Sequence, residues 1–185
     1  MKQELDSDKS RKIESEQIFN CALEFDYSQQ LLLREFGKNE FETLSPLVSM
    51  QVFTLELYFK CLLHIISGNL KKTHELKRLY DTLPVKDQTA ITKSFNQDLH
   101  ISRIRQSRKT LTKKYPLRKQ DSYKITDILT DANEAYQKFR YSFEKNTGVV
   151  RGMYPIIDSV RERIFEYKPE WRNKPIPSNH VSYKF

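Results

Sequence analysis

The sequence predicts an all-α protein, an up-and-down bundle of five or six helices built as one domain. Three observations carry this. Only four glycines occur in 185 residues rich in leucine, glutamate and lysine, a composition that favours helices over strands. Apolar residues recur at spacings of three and four along several stretches of the chain, the period of a helix with one buried face. From Met50 to Ile66 the apolar residues point in every direction, as in a helix wrapped by others. A chain of this length can bury a sizeable core.

Residues 1–12 form a polar lead-in with nothing to bury against the entropy of ordering. The helical domain runs over residues 13–167. From about Ile13 to Phe36, the residues Ile18, Ala22, Phe25, Leu32 and Phe36 recur near helical spacing, and Phe19, Leu23 and Leu33 widen the stripe. Gly37-Lys38-Asn39 ends that helix. Ser45-Pro46 opens the central one, because proline suits a first turn. Within the central helix Glu56, Lys60, His64 and Ser67 fall on one narrow polar stripe. A stripe that thin is either a satisfied polar seam or a site.

Gly68-Asn69 stops the central helix, and Thr73-His74-Glu75-Leu76 begins a shorter one carrying Leu76, Leu79, Tyr80 and Leu83. Pro84 starts another short amphipathic piece to about Asn96, with Val85, Ile91 and Phe95 on one side. Helical order returns at Ser122. From Ile125 the positions Ile128, Leu129, Ala132, Tyr136, Phe139 and Phe143 make the cleanest apolar stripe in the chain. Asn133, Gln137, Arg140 and Glu144 form a second stripe at its edge, placed to face another helix or another subunit. After Asn146-Thr147-Gly148, Pro155 starts the last helix, whose buried face is Met153, Ile156, Ile157, Val160 and Ile164. Residues 168–185, with three prolines, read as an extended, mobile tail.

The formal charge of +8 and pI near 9.4 favour polyanionic partners. The charge is concentrated. Arg103, Arg105, Arg108, Lys109, Lys113, Lys114, Arg118 and Lys119 occur with no acidic residue among them, and these eight match the whole net charge. They read either as a phosphate contact strip or as a solvated loop. Tyr115 alone offers a base a stacking platform there, so charge attraction is favoured over sequence-reading contacts. Cys21 and Cys61 have no Cys-x-x-Cys partner, which suits reduced thiols packed as small apolar groups better than a disulfide or a metal site. No metal and no cofactor is expected. The charged first residues and the lack of an apolar run near membrane-span length predict a cytoplasmic protein without membrane contact.

Glu56-Leu57-Tyr58-x-Lys60-x-Leu62-Leu63, followed by Thr73-His74-x-Leu76-x-x-Leu79-Tyr80, resembles the HEPN superfamily of all-helical domains from prokaryotic defence and toxin systems. A second stretch, from Asn133 through Arg140-Tyr141 to Glu144, is similar to the long late helix of that family. The resemblance implies a HEPN-like bundle, a homodimer, defence or toxin–antitoxin biology, and a nucleotidyltransferase or antitoxin as possible partner. Active members carry an Arg, four to six residues and then a His on the late helix, a pair suited to metal-independent RNA cleavage. Here the window after Arg140 holds Glu144 and Asn146 and no histidine. The standard nuclease motif is missing.

Other residues could carry chemistry. Glu56 and Lys60, at i and i+4 with Glu on the N-terminal side, read as an ion pair serving the fold. His64, one turn later, and His74 could both approach Arg140, though a lone histidine is more often structural. Arg140 with Glu144 reads as another i, i+4 pair. Three functions follow: a domain binding RNA or a nucleotide-bearing partner, a ribonuclease with an atypical site using Arg140 and His64 or His74, and a protein-binding dimerisation adaptor.

Overall fold

The computed structural model of the chain describes residues 14–36, 44–98, 124–139 and 153–175. The described residues are all-α. The first helix, α1 (Ser15–Phe36), begins with a half capping box, in which the Gln17 side chain accepts from the Glu14 backbone N–H at 3.3 Å, and Glu16 complements the positive end of the helix. The longest helix, α2 (Leu44–Ser67), packs along α1. Its Thr54 and Ser67 hydroxyls return to the carbonyls of Met50 and Leu63, each at 2.8 Å, so neither polar group is stranded. Gly68, with φ of 69°, ends the helix in the left-handed conformation that glycine adopts without strain.

The short α3 (Leu76–Thr82) has no side-chain cap from Glu75. Its first amide, Leu76 N–H, is accepted at 3.1 Å by Asn133 Oδ1, from the distant helix α5 (Ile125–Phe139). Pro84 then caps α4 (Val85–Gln97), which places Asp87 in its first turn. The last α-helix, α6 (Met153–Tyr167), packs on both α2 and α4, and a 3₁₀ turn (Pro169–Trp171) follows it. The core centres on α2. Leu55, Tyr58, Phe59 and Leu62 are fully buried, and Phe19 of α1 meets Tyr58, Phe165 and Trp171 with ring centroids 5.9, 5.9 and 4.9 Å away. Such aromatic contacts add to simple area burial.

Three expectations need correction. The 22-residue run Pro46–Ser67 does reach the length and hydropathy of a membrane span, and 67% of its most apolar window is buried in this fold, as in a core helix wrapped by others. Val85 does not share the buried face with Ile91 and Phe95. It is 77% exposed, and Asp87 is buried in its place because Arg163 and Tyr167 of α6 supply partners there. Residues 168–175 are not an extended tail. Trp171 is 5% exposed, since an indole of that area gains more by packing on Phe19 than by remaining in water.

Candidate functional site

The polar stripe of α2 divides between two neighbours. Lys60 Nζ donates to Glu56 Oε1 at 2.7 Å, within one turn of the helix. The same oxygen lies 2.9 Å from Nδ1 of His74, which stands just before α3. A carboxylate held by a lysine can only accept, so Nδ1 carries the hydrogen and the lone pair of a neutral imidazole sits on Nε2. The His74 side chain is 77% exposed, and Nε2 is the nitrogen left for a ligand. His64, one turn beyond Lys60, turns the other way. Its Nδ1 lies 2.6 Å from Ser15 Oγ, tying the end of α2 to the start of α1. Ser67 bonds within its own helix.

Of the second stripe, Asn133 faces α3 through its bond to Leu76. Arg140 and Glu144 lie outside the described residues, and so do all eight cations from Arg103 to Lys119.

Sequence reasoning missed a buried polar network that joins α1, α2 and α6. Asp26, 1% exposed, accepts from the Tyr58 hydroxyl at 3.0 Å, from Gln29 at 2.7 Å and from the Arg161 guanidinium. Arg161 also reaches Asp158 at 2.5 Å. Burial pushes the Tyr58 phenol well above its ordinary pKa, and Asp26 adds to the shift. Burial opposes the Arg161 cation, yet Asp26 and Asp158 outweigh it and raise the guanidinium above its usual value. Asp158 is raised as well, by desolvation that exceeds the help from Arg161. A signal was present in the sequence: Asp26 and Gln29 continue the buried stripe of Phe19 and Ala22, and a polar group there needs partners.

A second missed cluster staples α4 to α6. Asp87 is fully buried, and its Oδ1 accepts from Arg163 Nε at 2.8 Å and from the Tyr167 hydroxyl at 2.9 Å. Arg163 stacks over the Tyr167 ring, 5.0 Å from its centroid. Each cluster sets one arginine between two carboxylates, Arg161 between Asp26 and Asp158 and Arg163 between Asp87 and Glu166, and leaves one buried acceptor without a partner among the described residues, Gln29 Oε1 in the first and Asp87 Oδ2 in the second.

A groove of about 310 Å³ lies beside Phe19, Phe165 and Trp171, with Arg161, Arg172 and Lys174 at its edge. Its cations are already engaged. Arg172 makes a bidentate pair with Glu162 at 3.1 and 2.8 Å, and Lys174 meets Glu16. An anionic ligand would have to displace these carboxylates. Burial pushes the Cys61 thiol up to about 12, so it is an inert packing group. Among the described residues no group of three or more His, Cys, Asp or Glu side chains is placed to hold a metal ion. Glu56 with His74 is the pair that combines an oriented proton-carrying group with open solvent. Comparison of the chain with protein-family models, curated proteins and solved structures finds no match.

Proposed function

We propose that this chain is a HEPN-like helical domain that binds RNA or a nucleotide-bearing partner through basic surface, without the standard nuclease motif. A homodimer acting in a defence or toxin–antitoxin setting is part of the same reading. The observation that carries it is the charge distribution: eight cations and no acid between Arg103 and Lys119 account for the formal +8. Such a run favours phosphate contacts that release condensed counterions. Titration of the purified protein with mixed-sequence single-stranded RNA at two salt concentrations tests it. Weak, sequence-independent binding that falls steeply with salt is expected, and a joint change of Arg105, Arg108, Lys113 and Lys114 to Gln should weaken it. Absence of binding by the wild type overturns the reading.

The Glu56–His74 contact favours a second reading, the atypical ribonuclease. A backing carboxylate orients an imidazole for general base work. His74 Nε2 would take the proton of a ribose 2′-hydroxyl as its oxygen bonds to phosphorus, the bond to the 5′ oxygen breaks, and water protonates that leaving oxygen. Arg140 would hold the phosphate. Incubation with RNA in EDTA separates the two readings. No cleavage above background is expected. Cleavage by the wild type that vanishes in both His74→Ala and Arg140→Ala would replace the binding domain with the nuclease.

A further inference from the structure

We infer that the turn between α2 and α3 is itself a docking surface for the phosphodiester backbone of single-stranded RNA, with Lys71, Lys72 and Arg78 as the phosphate contacts around His74. The inference rests on the polyanion-binding reading and adds to it a second basic stretch, separate in sequence from the run at Arg103 to Lys119.

Charge in the described part of the fold is largely spent internally. Lys60, Arg161, Arg163, Arg172 and Lys174 all sit in ion pairs, and Lys86 and Lys168 lie over the rings of Tyr167 and Trp171. The α2–α3 turn differs. Lys71, Lys72 and Arg78 are exposed and have no carboxylate within ion-pairing distance among the described residues. Lys77 is taken by Asp81 at 2.5 Å. Glu75 is the one acid between Lys71 and Arg78, so the stretch keeps a positive surplus.

The turn is also held in place. Glu56 fixes His74 from below, Asn133 fixes the amide of Leu76, and Thr73 Oγ1 accepts the Glu75 N–H at 3.2 Å. Asn69 Nδ2 closes the other end on the Ser67 carbonyl at 3.1 Å. Cations presented from a pinned turn lose less conformational freedom on binding than cations on a free chain. The turn carries no Phe, Tyr or Trp and only the imidazole of His74 as an exposed ring, so base stacking has little platform and the contacts would be to the backbone without sequence preference. Lysine ammonium groups are point-charge phosphate binders that suit this role.

The test uses the full chain and polyuridine RNA, titrated at low and at physiological salt. The triple variant Lys71→Gln, Lys72→Gln, Arg78→Gln should bind on the order of tenfold more weakly, and the slope of log affinity against log salt should fall by about 2, from about 0.7 per phosphate contact. Its thermal melt should match the wild type, because none of the three packs in the core. RNA binding by the wild type that the triple variant retains in full, with an unchanged salt slope, overturns this inference and leaves the polyanion reading standing. No RNA binding by the wild type removes that reading and this one together. Preference for an acidic peptide over RNA, lost in the triple variant, would assign the surface to a protein partner and overturn the RNA assignment.

Discussion

Asp26 and Arg161 stand 135 residues apart in the chain and form one ion pair in the core, with the Tyr58 hydroxyl on the same carboxylate oxygen. The pair bridges the first and last α-helices across α2. Taking Arg161 away leaves Asp26 buried without a counter-charge, and taking Asp26 away leaves Arg161 to Asp158 alone, a larger loss than an exposed pair entails.

Asp26→Ala should therefore destabilise the protein by about 3 kcal/mol or more, since Arg161, Tyr58 and Gln29 all lose an acceptor. The double change Asp26→Leu with Arg161→Met should recover much of that loss. Urea unfolding of the three proteins measures both. A loss below about 1 kcal/mol in the single variant would mean that the network behaves as a surface pair.

Asp158 makes the opposite prediction. Its folded pKa lies above the ordinary value because burial outweighs Arg161, so the ionised form disfavours folding at neutral pH. That penalty is relieved as pH falls through the raised folded pKa. Asp158→Asn should melt at or above the wild-type temperature at neutral pH, and the gap should narrow as pH falls towards the ordinary carboxylate range. Melting curves over a pH series check this. A variant clearly less stable at neutral pH would show that the contact to Arg161 outweighs desolvation.

Glu56 and Lys60 should serve the fold through their pairing. Lys60→Met should cost on the order of 3 kcal/mol by leaving a mostly buried carboxylate to His74 alone, and Glu56→Met with Lys60→Met should recover much of it. Thermal melts of the two single variants and the double one decide the matter. Stable single variants that lose RNA binding would instead make this pair part of a site.

What the sequence determined by itself was the local order. Helical spacing on α1, α2, α5 and α6, the stop at Gly68 and the i, i+4 pairing of Glu56 with Lys60 all depend on residues within a turn or two of one another, so composition and period suffice to read them. Only the tertiary structure decided where the buried polar groups went. Asp26 needed Arg161, Asp87 needed Arg163 at a separation of 76 residues, and Leu76 needed Asn133 at a separation of 57. Trp171 likewise left the expected tail because Phe19 and Phe165 had already formed a surface for it. The physical reason is common to all four. An unpaired buried charge, an uncapped amide or an exposed indole carries a cost that is visible locally, but the partner that relieves it is chosen by which helix faces meet.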